Sequence, residues 1–225
     1  MPGTEREVSN RQKVYQYVKN AIISQEFSPG AVIHERELAH MLGVSRTPVR
    51  EALQTLQNDG WLTILPRKGS VVRPLSRAEM EEVLQLRIII GTAGIKLSIG
   101  RISVGAFAHL KGLVAQQEAA AEVEDYARFI EVDMQLHLAM VHLAGNRKLS
   151  CIAEELLDTF RRVAIEAIRG KRELADLLAE HKAIIAALER EDQATAESIL
   201  IEHIGSARQT LFPLPPHDQS ALLNS

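Results

Sequence analysis

The spacing of apolar residues switches twice along this chain, from helical to alternating and back, and that pattern restricts its folds more than any other feature. Val14, Tyr17, Val18, Ala21, Ile22 and Ile23 recur at helical spacing, up to a turn signal at Phe27-Ser28-Pro29-Gly30. A second short helix fits Glu35 to Leu42, with Leu38, Ala39 and Leu42 on its apolar side and Gly43 as its stop. A third follows Val44: Ser45 or Thr47 caps it, Pro48 is tolerated in its first turn, and Val49, Leu53 and Leu56 form its core stripe. Two helices joined by a tight glycine-containing turn make a helix-turn-helix.

After Asp59-Gly60 the period falls to two. Trp61 to Leu65 and Ser70 to Arg73, joined at Pro66-Arg67-Lys68-Gly69, read as a two-stranded hairpin, which behind a helix-turn-helix is a wing. Ser76-Arg77-Ala78-Glu79 is a capping box, and from there to about Phe212 every segment reads as helix. Breaks near Gly100 to Ser103, Glu124-Asp125, Gly145-Asn146, Gly170 to Glu173 and Glu191-Asp192 imply a bundle of six or seven helices. The expected fold is therefore mainly α: a winged helix-turn-helix over residues 1–75, an all-α bundle over 76–212, and a disordered tail over 213–225, which holds three prolines and little pattern.

Charge divides along the same line. Residues 1–76 carry 10 Lys and Arg against 7 Asp and Glu, while residues 77–225 carry 16 against 22. The head is suited to approach phosphates and the body is not. No apolar run has membrane-spanning length and no signal peptide is visible, so a cytoplasmic protein without a membrane partner is expected. The single cysteine, Cys151, has no internal partner and reads as an ordinary buried or half-buried thiol.

Arg46, Thr47 and Arg50 open the third helix, the part of a helix-turn-helix that enters the major groove, where arginine bonds guanine bidentately. Arg36 is placed to clamp the DNA backbone, and Arg67 and Lys68 at the wing tip suit phosphate or minor-groove contact. A lone basic residue is most simply a solvated one; several on the leading edge of one motif point to double-stranded DNA. In the body, Asp133 and His137 share a helix face at i and i+4 and can reach one ion. Imidazole with carboxylate suits zinc, nickel, manganese or iron. His181 and His203 are 22 residues apart, which merely allows them to lie on adjacent helices. Spacing alone leaves each of these histidines open to being a satisfied core or surface residue. His34, His40, His109, His142 and His217 read as structural or surface residues.

The stretch from Arg36 through Gly69 resembles the winged-helix domain of the GntR superfamily. The residues that carry the likeness are Glu35-Arg36-Glu37-Leu38-Ala39, Val44-Ser45-Arg46-Thr47-Pro48-Val49-Arg50-Glu51-Ala52-Leu53, Gly60-Trp61-Leu62 and Pro66-Arg67-Lys68-Gly69. The body resembles the FCD ligand-binding domain of the FadR-type branch through Leu86-Arg87, Asp133 and His137, Ala144-Gly145-Asn146, Glu180-His181, Asp192 and His203. The likeness covers about residues 10–212. It implies that Arg36, Arg46, Thr47, Arg50 and the wing around Gly69 contact operator DNA, and that Asp133, His137, His181 and His203 ligate a divalent metal, zinc first, with nickel, manganese or iron as alternatives. It also implies a small carboxylate effector beside the metal, for which Arg87, Asn146 and Arg162 are the candidate contacts; for the two arginines an internal salt bridge is the competing role.

One position departs from the branch. A glutamate usually stands about four residues after the arginine of the first helix of that domain, and this chain has Gly91 there, behind Ile88, Ile89 and Ile90. Its absence leaves Arg87 freer for a ligand or reshapes the pocket. The expected function is a metabolite-responsive, homodimeric DNA-binding repressor released by its effector, not an enzyme. The rivals are a DNA-binding protein whose metal is only a staple, and a metal-dependent hydrolase with Glu180 as its nearest candidate base.

Overall fold

The computed structural model describes residues 9–169 and 174–211, so the tail expected over 213–225 lies outside the described residues. The chain divides into two compact units, Met1–Leu75 and Ser76–Ser225.

The first unit contains α1 (Asn10–Ile23), β1 (Val32–Ile33), α2 (Glu35–Leu42), α3 (Arg46–Asn58), β2 (Leu62–Leu65) and β3 (Gly69–Val72). Ser9 caps α1 by accepting from Gln12 N at 3.3 Å. The helix ends at Ile23, ahead of the Phe27 to Gly30 turn signal, because Gln25 takes a left-handed φ of 62°. Gly43 ends α2 in the same way at φ 65°. Val14, Val18 and Ile22 of α1 and Val49, Ala52, Leu53 and Leu56 of α3 form the buried seam. Each buried Val or Leu there contributes about 1.5–3 kcal/mol.

The expected two-stranded wing is a three-stranded antiparallel sheet in the order β1-β3-β2. Val32 pairs with Val71 and Ile33 with Ser70, while β2 and β3 form the foreseen hairpin from Leu62↔Val72 to Leu65↔Gly69. A two-residue strand is too short to show an alternating period, which is why β1 leaves no trace in the apolar pattern.

The second unit holds six helices among its described residues: α4 (Arg77–Ser98), α5 (Val104–Glu122), α6 (Tyr126–His142), α7 (Arg147–Arg169), α8 (Leu174–Glu189) and α9 (Gln193–Leu211). The capping box is formed, with Ser76 Oγ accepting from Glu79 N at 3.2 Å and Glu79 accepting from Ser76 N at 2.9 Å. Helix α4 packs on α6, α7 and α9, and α5 packs on α6 and α8. Ile90, Met134, Val141, Ala153 and Phe160 make one buried cluster. At Gly94 the helices approach so closely that a Cβ would lie 3.1 Å from Val141 Cα. Cys151 is exposed, not buried as expected, because it lies on the outer side of α7 while the adjacent turn sends Ala153 into the core. Among the described residues no helix is long and apolar enough to cross a membrane.

Candidate nucleic-acid interface and metal centre

In the first unit, Ser45 occupies the N-cap position of α3 without a side-chain hydrogen bond to the helix. Arg46, Thr47 and Arg50 follow as exposed residues of its opening turns. Glu35, at the start of α2, holds both arginines: Arg50 Nη2 donates to Glu35 Oε2 at 3.2 Å and Arg46 Nη2 to the same oxygen at 3.4 Å. The hydrogen bond from Arg50, with help from Arg46, keeps the Glu35 carboxyl below its ordinary range. The Arg46 and Arg50 side chains remain 63% and 58% exposed, so each pair is weak, screened by solvent and readily exchanged for a phosphate or a base.

Arg36 is exposed in the first turn of α2, and Arg67 and Lys68 are exposed at the β2–β3 turn, where Arg67 takes φ 63°. Gly69, which the resemblance places among the DNA contacts of the wing, also has a packing role. It is half-buried with φ +109°, and a Cβ there would lie 3.0 Å from Ile33 O and from Val32 Cγ1. It lets the wing turn close against β1.

In the second unit, helices α6, α8 and α9 bring the four expected ligands together. The candidate donor atoms of Asp133, His137, His181 and His203 all lie within 4.8 Å of one another. His137 Nε2 is 3.1 Å from His203 Nε2, and His181 Nε2 is 3.3 Å from the same atom. Asp133 Oδ1 lies 3.2 Å from His181 Nε2 and 3.8 Å from His137 Nε2.

Two neighbours fix which ring nitrogens are bare. Gln117, fully buried on α5, donates through Nε2 to Asp133 Oδ1 at 3.4 Å, which turns its Oε1 toward His181 Nδ1 at 3.0 Å. Glu180 Oε2 lies 2.7 Å from His203 Nδ1. An acceptor facing Nδ1 requires the proton there, so the Nε2 lone pairs of His181 and His203 are directed into the cluster. Lone pairs at 3.3 Å repel unless a cation or a shared proton lies between them. Burial pushes the Asp133 carboxyl up, yet the surrounding imidazoles and the Arg87 guanidinium outweigh it and hold it well below the usual carboxylate range. Burial, with the Arg87 charge, holds the His137 imidazole well below its usual range and so favours its neutral, ligating form.

Arg87 of α4 donates from Nη2 to Asp133 Oδ2 at 2.9 Å, so the salt bridge weighed against effector contact is present. Its Nε is buried and has no hydrogen-bond partner among the described residues. Arg87 and His137 line one end of a cavity whose other walls are apolar, among them Ile90, Met134, Leu138, Val141, Leu157 and Phe160. Gly91 lies on this wall, and the space a side chain would take there is filled by Leu200, whose Cδ2 is 2.7 Å from the position of a Cβ. Arg162 is buried on α7 and does not line this cavity. Asn146 is exposed at the start of α7, its Oδ1 accepting from Lys148 N at 3.1 Å and Leu149 N at 3.2 Å. Its side chain serves as a helix cap.

Residues 10–72 match the family described as bacterial regulatory proteins, gntR family, and residues 82–206 match the FCD domain. The chain belongs to the GntR family and carries an FCD domain. It is a DNA-binding transcriptional regulator. The Nta operon transcriptional regulator of Aminobacter aminovorans is 33% identical over 67% of this chain and 67% of its own length. The HTH-type transcriptional repressor RspR of Escherichia coli strain K12 is 27% identical over 86% of this GntR chain and 85% of its own. The solved structure of E. coli McbR/YncC has the same fold, with a TM-score of 0.76 at 24% identity over 92% of this chain and 98% of that one.

Proposed function

We propose that this GntR protein is a cytoplasmic, homodimeric repressor that leaves its operator when a small carboxylate occupies the FCD unit beside a divalent metal. The observation that carries the reading is the convergence of the bare Nε2 atoms of His181 and His203, with His137 and the ionised Asp133, on one point. Three imidazoles and a carboxylate suit zinc first, and also nickel, manganese or iron. A divalent ion held there would supply positive charge to attract a carboxylate oxygen.

This chain's own residues do the rest. Gln117 and Glu180 hold the rings of His181 and His203 in the ligating tautomer. Arg87 offers the carboxylate its unused Nε–H while keeping Asp133 ionised and oriented. Arg162 and Asn146, the other contacts that the family likeness implies, stand outside that cavity and would meet an acid only at its periphery. In the head, Arg46, Thr47 and Arg50 read base edges, while Arg36, Arg67 and Lys68 hold phosphates. Two heads on successive major grooves call for an inverted repeat with half-sites about one helical turn apart.

The test starts from a binding selection on a random duplex pool with the metal-loaded full chain, followed by anisotropy titration of the selected duplex with and without each acid that binds the protein. The expected outcome is an inverted repeat whose affinity falls about 5–150-fold with a bound acid. Unchanged operator affinity at saturation with every acid that binds refutes the coupling and leaves the metal as a staple.

A further inference from the structure

The wall of the cavity beside the metal cluster narrows the chemistry of the acid, an argument that rests on the carboxylate-sensor reading above. Among the described residues only two of its lining side chains are polar, Arg87 and His137, and both lie at the end next to the cluster. The remainder is made by Ile, Leu, Met, Val, Ala and Phe side chains of α4, α6, α7 and α9, with Gly91 among them. A hydroxyl or a second carboxylate on the ligand would meet apolar side chains along that wall among the described residues. A buried polar group left without a partner opposes binding, whereas every buried methylene favours it.

At the polar end the requirement is opposite. Arg87 spends one nitrogen on Asp133, and its buried Nε has no acceptor among the described residues. That orphaned donor calls for an anionic or carbonyl oxygen. The cavity has a volume of about 20 Å³, room for a water but not for an acid. A ligand therefore enters by turning aside side-chain ends, and the wall is suited to this. Met134 and Met140 are adaptable, and Leu200 reaches into the space that Gly91 leaves empty.

We infer that the effector of this regulator is a monocarboxylate with an apolar body, either a short aliphatic chain or an aryl group, and not a hydroxylated or polycarboxylic acid. The carboxylate meets Arg87 Nε and the metal-binding end, and the apolar body lies between Met134, Leu138, Leu157 and Phe160, displacing the end of Leu200.

The experiment is thermal melting of the zinc-loaded full chain with hexanoate or phenylacetate, against gluconate and succinate, with 1-hexanol as a body lacking the head. Hexanoate or phenylacetate is expected to raise Tm by about 5 °C or more at concentrations where gluconate, succinate and hexanol shift it by less than about 1 °C. In Leu200→Ala the opened space should move the preference to a longer acid: octanoate gives a larger shift than hexanoate, a gain that misfolding cannot imitate. A shift with gluconate or succinate and none with the apolar acids overturns this inference and leaves the carboxylate-sensor reading standing. Equal shifts with hexanol and hexanoate overturn the role given to the Arg87 end. Silence from all four acids overturns both.

Discussion

Gln117 Oε1 lies 3.0 Å from His181 Nδ1 while Gln117 Nε2 faces Asp133 Oδ1, so one fully buried amide orients two of the candidate metal ligands. Replacing it by a side chain of similar volume, Gln117→Met, keeps the packing and removes both hydrogen bonds. Metal affinity, read by competition with a chromophoric chelator, should fall about 10–100-fold with the helical content unchanged. Glu180→Ala should act similarly through His203, and Glu180→Gln, which retains an acceptor oxygen, should lose less. Full affinity in Gln117→Met would remove the amide from the account.

The native pKa of His137 is held below its ordinary 6.5, chiefly by burial. Between that lowered value and 6.5 the unfolded chain binds a proton that the native chain does not, so stability declines as pH falls below 6.5, by up to about 1.4 kcal/mol per pH unit. Asp133 is lowered from 3.8, and its contribution is complete above 3.8, so it does not act in this window. Chelated protein should therefore melt at progressively lower temperature as pH falls from about 7.5 to about 5, with a slope set by the one extra proton that the unfolded chain takes up. His137→Gln should flatten that decline. An identical decline in the variant would show that His137 is not its source.

Glu35 shares one carboxylate between Arg46 and Arg50 on the exposed face of the head. Because that pairing is weak, the arginines remain available to DNA, and the two kinds of contact should separate in titrations on a selected operator. Arg50→Ala should cost about 1–3 kcal/mol on the preferred sequence and relax selectivity at one base position. Lys68→Ala should weaken all duplexes uniformly and lower the magnitude of the salt slope by about one. If Arg50→Ala weakens random and selected duplexes alike, it holds phosphate and not a base.

Leu200 occupies the space next to Gly91, with Cδ2 2.7 Å from where a Cβ would stand. Gly91→Ala gains about 1 kcal/mol of helix propensity but overpacks this spot at a cost of about 1–3 kcal/mol, so it should be neutral to destabilising in the natural sequence. In a Leu200→Ala background the clash is gone and the same change should stabilise by about 1 kcal/mol. A denaturant double-mutant cycle reads the reversal of sign. Additivity would mean that the two positions do not meet.

Much of this is legible in the residues. Gly43 and the Ser76 to Glu79 capping box mark helix ends through local chemistry alone, and the four-ligand set follows from family likeness, with the i, i+4 pair Asp133 and His137 visible by spacing. Gln117 carries a signal of a different kind from the histidine and aspartate pattern. It lies on the apolar stripe of α5 with Leu110, Leu113, Val114 and Ala120, and a polar residue on such a stripe must find a buried partner. Glu180 and its neighbour His181 reach opposite nitrogens of the His203 ring, Nδ1 and Nε2, a convergence that adjacent positions on one helix do not advertise. The meeting of Gly91 with Leu200 joins residues 109 positions apart, and no local pattern encodes it. The strand β1 escapes because two residues show no period.

The central claim is that Asp133, His137, His181 and His203 hold one divalent ion, and elemental analysis of the purified full chain tests it most directly. After dialysis against zinc and removal of excess, the account predicts about one equivalent per chain, about none in His203→Ala, and an intermediate, easily stripped amount in Gln117→Met. A natural sequence that retains no metal, or a His203→Ala variant that retains as much, would contradict it.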